Sequence, residues 1–373
     1  MIKLLIVTHA LEKGGAEKLI VSLAPHFKER GVIVEILLLN KNKSVDFFVN
    51  EIRKNEITIH DLNITNIYNP TCILQIKKFL QNNFFDIIHT HLFPSLYWIR
   101  LATFLIPNSP KLIYTEHSNH NKRREKFLLK YFEKFIYQGY DRIVTITDEV
   151  KQNLSNWVGY PDKMTTISNG VDIKAINNSS VISKYKLLAE FNVPEDAVTI
   201  FMAASFRYPK DQQTVIKACA LLGNKYHLLL AGEGNLENDC RLVAQSLGVS
   251  DQIHFLGFRN NVASLMKSVD INVLSSDYEG MSGVTLEALA SGKPFIGSDV
   301  AGIREIVPSH EFLFLPGNEQ DLADKVHFLV NNTQFYNYLS KEGLSFSQKF
   351  SIEEMADAHT ALYSSLLTVP KAN

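Results

Sequence analysis

The chain has 373 residues, of which 46% are hydrophobic and 21% charged, with a formal net charge of −1. This length exceeds what one ordinary hydrophobic core needs and indicates two domains, and the apolar content excludes a disordered chain. The three cysteines, Cys72, Cys219 and Cys240, are too widely spaced for a disulfide framework, and there is no apolar run of membrane-spanning length.

The first half alternates short apolar runs with helical patterns. Residues 4–7 predict a buried parallel strand, and the glycine pair after it opens a helix on which Leu19, Leu23 and Phe27 recur every four residues. Further strands are predicted at residues 32–39, 86–89, 112–115, 142–146 and 165–167. The turn at Asn169-Gly170 and the irregular stretch behind it predict a domain boundary near residue 180.

The second half repeats the alternation. Strands are predicted at residues 199–203, 227–231, 253–256, 271–274, 294–297 and 312–315, with helices at 211–222 and 285–291. The second domain is therefore residues 181–350, and a last helix lies in residues 351–373. Two tandem α/β halves imply two doubly wound sheets that face each other across a crevice, where ligands bind at the carboxyl ends of the strands.

Gly14-Gly15-Ala16-Glu17 follows the first strand and opens the first helix. Two glycines permit close approach of a ligand, and a helix N-terminus offers unbonded N–H groups that suit a phosphate. The spacing is not that of a dinucleotide fingerprint, and a tight strand-to-helix turn explains the glycines equally well.

Arg207 and Lys210 follow the strand at residues 199–203. A guanidinium and an ammonium three residues apart can hold a diphosphate from two sides. A solvated basic loop is the alternative interpretation.

The stretch from Glu279 to Glu287 follows the strand at residues 271–274 and encloses a glycine turn before a helix. The N–H groups of the turn suit phosphate oxygens, and a carboxylate one helical turn later suits vicinal hydroxyls. Two acids that merely favour a helix start are the alternative. The ordered set of strand, acid, glycine turn, acid and helix is more specific than either acid alone.

Taken together, these motifs resemble the family 4 glycosyltransferases of the GT-B fold, a retaining, sugar-nucleotide-dependent class. The resemblance covers nearly the whole chain and rests on segments at residues 14–17, 169–172, 207–210, 232–234, 255–257 and 279–287. It implies an α/β fold with two Rossmann-like domains, an N-terminal one for the acceptor and a C-terminal one for the nucleotide sugar. It also implies that the last helix crosses back to the first domain.

The resemblance assigns roles to individual residues. Glu279 and His117 would lie at the transferred sugar as the catalytic residues. The remaining residues would bind the donor: Arg207, Lys210 and, from the first domain, Gly14 and Gly15 at the diphosphate, Glu287 at the ribose, Arg259 near the base, and Ser282, Gly283, Val284 and Thr285 at phosphate or sugar. Ser282 stands where many members have glycine, which leaves the identity of the sugar open.

No metal or other cofactor is expected. His89, His91, His117 and His120 form no clear zinc pattern, and no acidic pair follows a strand as a magnesium clamp would. Arg207 and Lys210 with a helix N-terminus can neutralise a leaving diphosphate instead. Lys210→Ala is expected to remove most activity with little loss of stability.

Charge is uneven along the chain. Residues 1–180 hold 23 Lys and Arg against 17 Asp and Glu, whereas residues 181–373 hold 15 against 22. Residues 121–137 are basic and rich in aromatic side chains, a composition that fits contact with an anionic membrane. A surface helix that buries Leu128, Phe132, Phe135 and Ile136 in the core is the slightly favoured alternative, and nucleic acid fits less well.

The predicted function is transfer of a hexose from a nucleotide-diphosphate sugar, UDP rather than GDP, to a hydroxyl of a glycan or lipid-linked acceptor. The predicted setting is cell-surface polysaccharide or glycoconjugate synthesis in the cytoplasm, at the inner face of the cytoplasmic membrane. A nucleotide-sugar epimerase on a similar frame and a non-enzymatic sugar-binding module remain as alternatives.

Overall fold

A computed structural model describes residues 1–368 apart from residues 105, 108, 120 and 192. The chain forms two compact units: residues 1–170 together with the C-terminal helix make the first, and residues 171–351 make the second. Strands and helices are numbered below in chain order. Among the described residues, no helix has the length and hydropathy needed to cross a bilayer.

The first unit is built on a seven-stranded parallel sheet with the order β3-β2-β1-β4-β5-β6-β7. Its strands are β1 (Lys3–Thr8), β2 (Ile33–Leu38), β3 (Thr58–Asp61), β4 (Ile87–His91), β5 (Lys111–Glu116), β6 (Arg142–Thr145) and β7 (Met164–Thr166). Its helices are α1 (Gly15–Glu29), α2 (Asp46–Lys54), α3 (Cys72–Asn82), α4 (Ser95–Phe104), α5 (Phe127–Gln138), α6 (Asp148–Val158) and α15 (Ile352–Thr368).

The second unit has a six-stranded parallel sheet with the order β10-β9-β8-β11-β12-β13. Its strands are β8 (Val198–Ala203), β9 (Tyr226–Ala231), β10 (Ile253–Gly257), β11 (Ile271–Leu274), β12 (Phe295–Ser298) and β13 (Leu313–Phe314). Its helices are α7 (Ile173–Asn178), α8 (Lys184–Glu190), α9 (Gln212–Leu222), α10 (Glu237–Ser246), α11 (Val262–Ser268), α12 (Gly283–Ala290), α13 (Glu319–Asn331) and α14 (Thr333–Ser347).

The predicted fold class is confirmed, and each strand predicted from an apolar run is present. Strands such as β8 and β9 are buried along their whole length, and such strands carry apolar side chains on both faces. One strand of the first sheet, β3, is not among the predicted strands; it pairs only with β2 at the sheet edge. Its four residues are exposed or half-buried, so it lacks the apolar run that marks the other strands.

The boundary between the units lies between Gly170 and Val171, not near residue 180. Val171 forms a parallel bridge with Ser351, and the Lys267 ammonium donates to the backbone oxygen of Ile176 at 3.2 Å. These contacts hold the short helix α7 in the second unit, although the sequence of α7 shows no regular apolar pattern. The C-terminal helix α15 packs with α1 and belongs to the first unit.

The core face predicted for residues 121–137 is partly wrong. In α5, Ile136 is fully buried, but Phe132 and Phe135 are exposed and Leu128 is 84% exposed. Glu133, a charged residue, is fully buried on the inner side of the helix.

The strand order reverses between β1 and β4 in the first sheet and between β8 and β11 in the second. In open α/β sheets the ligand crevice lies outside the carboxyl ends of the strands at such a reversal. The loops that follow β1, β4, β8 and β11 are therefore the places where a site is expected.

Candidate active site

In the second unit, the Lys210 ammonium and the Glu279 carboxylate form an ion pair at the reversal between β8 and β11. The two side chains are 19% and 13% exposed. Backbone bonds fix the loops that carry them: Asp211 N–H donates to the Ser275 oxygen at 3.1 Å, and Asp277 N–H donates to the Pro209 oxygen at 2.9 Å. The structure thus brings together two predicted site residues that lie 69 positions apart.

Arg207 lies in the same turn as Lys210, whose N–H donates to the Arg207 carbonyl at 2.9 Å. Arg207 is exposed, and its Nε donates to Ser205 Oγ at 3.1 Å. Because the Glu279 carboxylate already pairs with the Lys210 ammonium, an incoming diphosphate must either share the ammonium with that carboxylate or displace the carboxylate. The joint grip on a diphosphate by Arg207 and Lys210 stays a prediction.

Two glycines after β9 support the Arg207 turn. A Cβ on Gly232 would lie 2.0 Å from the Ala204 oxygen, and a Cβ on Gly234 would lie 2.2 Å from the Phe206 oxygen. The side-chain-free backbone therefore packs directly on the segment that leads into Arg207. These glycines were recognised as part of the family pattern, but this packing role was not.

The first turn of α12 contains Ser282, Gly283, Val284 and Thr285. Ser282 is the N-cap: its Oγ accepts from Thr285 N at 3.2 Å and from Thr285 Oγ1 at 3.0 Å. Its serine identity therefore has a structural reason that is independent of the donor sugar. The first N–H groups of any helix lack carbonyl partners within it, so those of Gly283 and Val284 suit an anion.

Gly302, after β12, is a supporting residue of the site that is not among the predicted ones. Its φ is +76°, and a Cβ there would lie 2.6 Å from the Gly280 oxygen. Its own oxygen accepts from Ser282 N at 3.1 Å. Gly302 therefore supports the turn between Glu279 and α12. An isolated glycine shortly after a strand was the available signal.

The other predicted donor residues of the second unit are more dispersed. Glu287 is half-buried on α12, one turn after the cap. Arg259 follows β10, where its Nη2 donates to Glu190 Oε1 at 2.7 Å and its Nε donates to Asn261 Oδ1 at 3.1 Å. A place for Arg259 near a nucleobase stays a prediction.

In the first unit, Gly14 is the N-cap of α1 and follows β1. A Cβ on Gly14 would lie 2.1 Å from Glu17 Oε2, whereas a Cβ on Gly15 would meet nothing within 4 Å. Gly14 thus makes room for the buried Glu17 carboxylate, and the open space beside Gly15 suits a close approach by a ligand. Gly14 therefore has a structural role, and Gly15 is the candidate binding position.

His117 directly follows β5, and its Nε2 lies 3.0 Å from His91 Nδ1 at the end of β4. Burial, followed by the nearby His359, lowers the pKa of His117 to about 4, so the ring is neutral at pH 7. Behind this pair, His89 Nδ1 lies 2.7 Å from the Tyr363 hydroxyl of α15. His120 lies outside the described residues.

His91 is not among the predicted site residues, although the sequence contains the pattern His-Thr-His at the end of β4. Within the described part of the chain, no group of three or more His, Cys, Asp or Glu side chains is placed to hold a metal ion. Separately, burial lowers the pKa of His89, His91, His117 and His359, so the histidine cluster of the first unit is neutral at pH 7.

Comparisons with known proteins identify the family of this chain. The model of the family "Glycosyl transferases group 1" matches residues 184–346, and that of "Glycosyltransferase Family 4" matches residues 13–175. EpsD of Bacillus subtilis, named as a glycosyltransferase, is 30% identical over 304 residues, covering 77% of this chain and 79% of EpsD.

Two further relatives are informative. An Escherichia coli protein named UDP-Gal:alpha-D-GlcNAc-diphosphoundecaprenol alpha-1,3-galactosyltransferase is 26% identical over 297 residues, 75% of each chain. Anabaena HepE, solved in complex with UDP and glucose, superposes with a TM-score of 0.86 at 19% identity over 98% of this chain and 100% of HepE.

The two doubly wound units have the GT-B fold of the sugar transferases, as the match to HepE shows. The chain belongs to the family 4 glycosyltransferases.

Proposed function

We propose that this glycosyltransferase moves a hexose from a UDP-sugar to a hydroxyl of a lipid-linked or glycan acceptor, with retention of the anomeric configuration. The observation that carries the proposal is the Lys210–Glu279 pair beside the capped first turn of α12. A cation, a carboxylate and unbonded N–H groups in one place suit the diphosphate and sugar of such a donor.

The choice of UDP and of a lipid-linked acceptor is supported by similar proteins. HepE was solved with UDP and glucose, and the name of the E. coli relative gives a UDP-galactose donor and a diphosphoundecaprenol acceptor. Lipid-linked acceptors of that kind lie in a membrane, so we place the enzyme in the cytoplasm at the inner face of the cytoplasmic membrane. Synthesis of cell-surface polysaccharide or glycoconjugate is the corresponding process.

In the proposed reaction, Lys210 and Arg207 stabilise the charge that grows on the diphosphate as its bond to the sugar loosens. Glu279 lies at the sugar, and Glu287 binds the ribose. The acceptor hydroxyl attacks from the face that the diphosphate leaves, and a donor phosphate oxygen helps to take its proton. His117, as a neutral ring, is suited to hydrogen bonding with a sugar hydroxyl.

Because cationic side chains and N–H groups can neutralise the leaving group, the reaction is proposed to need no metal. A thermal-shift series with UDP, GDP, ADP, dTDP and CMP, with and without magnesium, tests the donor site. A ligand at a hundred times its Kd stabilises a protein by roughly 2.7 kcal/mol, which such a scan resolves.

The expected result is a rise in the unfolding temperature with UDP. This rise should be independent of magnesium and absent in Lys210→Ala. A shift with another nucleotide alone, or one that requires magnesium, would overturn the corresponding part of the proposal. Product analysis completes the test: the coupling of the anomeric proton in the product reports retention or inversion. Epimerised donor in the absence of any acceptor would point to an epimerase instead.

A further inference from the structure

The outer side of α5 carries an unusual concentration of large exposed apolar side chains. Tyr131 is 67% exposed and Leu128 84%. With a neighbour from α4, they form a surface that we term the α5 face: Phe104, Phe127, Leu128, Tyr131, Phe132 and Phe135. With 3.6 residues per turn, its five α5 positions fall within one arc of about 140°. Contiguous exposed apolar surface of this kind marks an interaction site.

The α5 face points outward because the inner side of the helix holds a buried carboxylate. Glu133 is fully buried and accepts three hydrogen bonds: from the Tyr97 hydroxyl at 2.7 Å, from Arg123 Nε at 2.8 Å and from Trp157 Nε1 at 2.6 Å. Turning the helix to bury the apolar side would break all three bonds and leave the carboxylate unpaired. The exposure of the face is thus fixed by the fold.

The charges beside this face are basic. Lys126 is the N-cap of the helix, and Lys130 and Lys134 follow it at intervals of four residues. Lys126 and Lys134 are exposed, whereas Lys130 is half-buried with its ammonium 5.5 Å from the centre of the Trp157 ring. No ion pair with an acid is formed by these lysines among the described residues. Glu133 is the only acid within α5 and is buried, while Glu125 lies in the turn before the helix. Arg123 and Arg124 pair internally with Glu133 and Glu116, so their charges are already balanced.

We propose that the α5 face docks on an anionic lipid bilayer, with its aromatic and leucine side chains in the interface and the three lysines at the headgroups. Apolar side chains beside lysines are the features by which a helix binds in the plane of such a surface. A second copy of this chain fits less well, because it would bring two rows of lysines together. The inference goes beyond the transfer reaction and does not depend on the identity of the donor.

Co-sedimentation with vesicles tests the proposal on the full chain. One set of vesicles contains phosphatidylcholine alone, and the other also contains phosphatidylglycerol. Wild-type protein is expected to prefer the anionic vesicles and to be released by salt. Replacing Lys126, Lys130 and Lys134 by Gln is expected to weaken binding by on the order of a hundredfold. Leu128→Ser with Tyr131→Ser is expected to weaken it by about tenfold or more.

Matched controls come from exposed residues elsewhere. Leu221→Ser with Leu242→Ser removes two exposed leucines of the second unit, and the triple variant Lys78→Gln/Lys225→Gln/Lys341→Gln removes three exposed lysines. Both are expected to bind vesicles as wild type does. Circular dichroism and thermal unfolding verify that every variant is folded.

Equal binding by wild type and α5 variants, or no binding to anionic vesicles, overturns the proposal. Loss of self-association in Leu128→Ser/Tyr131→Ser without any vesicle binding would identify a second copy as the occupant instead. The rise in unfolding temperature with UDP separates this inference from the proposed reaction, because the α5 variants are expected to show the same rise as wild type. A failed vesicle experiment with an intact UDP shift therefore rejects the docking surface alone.

Discussion

Lys210, after β8, and Glu279, after β11, form an ion pair in which both side chains are largely shielded from water. The family resemblance gave the two residues separate partners, the diphosphate for Lys210 and the sugar for Glu279. The pairing links these roles, because a phosphate that draws the ammonium toward itself also frees a carboxylate to bond a sugar hydroxyl. The pair is therefore suited to respond to both parts of the donor at once.

Lys210→Ala is expected to lower kcat/KM by about 10²–10³-fold, since a cation at a growing phosphate charge is lost. The sequence alone suggested that stability would hardly change. The structure changes that expectation, because the variant leaves a shielded Glu279 carboxylate without its partner, at a cost of roughly 1–3 kcal/mol. Steady-state kinetics and chemical unfolding measure the two effects.

The double variant Lys210→Ala/Glu279→Gln separates the two roles. Removing the unpaired charge is expected to restore much of the lost stability but none of the activity. Lys225→Ala, at an exposed lysine of the same unit, is the control and is expected to match wild type. Recovery of activity in the double variant would show that Lys210 serves only to neutralise Glu279.

Ser282 caps α12, so substitutions there are expected to follow helix-cap energetics. Ser282→Ala is expected to destabilise the second unit by about 1 kcal/mol, and Ser282→Gly by only a few tenths. Calorimetry is the appropriate measurement, because both tryptophans, Trp98 and Trp157, lie in the first unit. Equal destabilisation by Ala and Gly would contradict a capping role.

Much of the candidate site could be predicted from sequence because its parts follow buried strands. Apolar runs identify β8 and β11, and the loops after them carry Lys210 and Glu279. The ion pair itself could not be predicted, since it depends on which loops become neighbours when strands far apart in sequence pair. The resemblance supplied the order of the motifs but not their contacts.

The orientation of α5 could not be predicted for a different reason. Charged side chains are rarely fully buried, so a pattern of lysines and one glutamate among aromatics predicts a helix with its apolar side inward. Glu133 reverses that expectation because Tyr97, Arg123 and Trp157, from three other segments, all bond its carboxylate. Only the assembled unit reveals these partners.

His91 is expected to act as a positioning residue for His117, because the bond between them fixes the orientation and tautomer of the His117 ring. His91→Phe removes that bond while keeping a planar side chain, and kcat is expected to fall about five- to tenfold with KM for the donor unchanged. His91→Asn, which keeps a polar atom at the δ position, is expected to restore most of the loss.

The second unit offers a matched control for this pair. His227 Nδ1 lies 3.0 Å from His254 Nε2 on adjacent strands, so His227→Phe removes the same kind of bond far along the sequence from His117. No change in kcat is expected there. An Asn variant at position 91 that is as slow as the Phe variant would indicate a packing role only.

Acid is expected to destabilise the first unit through its buried histidines. Burial lowers the pKa of His359 to about 4, as it does that of His117, and lowers those of His89 and His91 well below the usual 6.5. Between about pH 6.5 and pH 4 the unfolded chain therefore binds protons that the folded unit excludes. The free energy of unfolding must fall as pH drops through that window, by up to about 1.4 kcal/mol per pH unit for each histidine.

Urea unfolding followed by tryptophan fluorescence measures this effect, because both tryptophans lie in the first unit. His359→Leu removes one of the buried rings, whose Nε2 has no hydrogen-bond partner among the described atoms. The variant is expected to take up about one proton fewer on unfolding, so the slope of the unfolding free energy against pH becomes shallower. His327→Gln, at an exposed histidine of α13 in the second unit, checks that the slope reports the first unit and is expected to keep the wild-type slope. A stability that is flat across this window would mean that the cluster opens and takes up protons without unfolding.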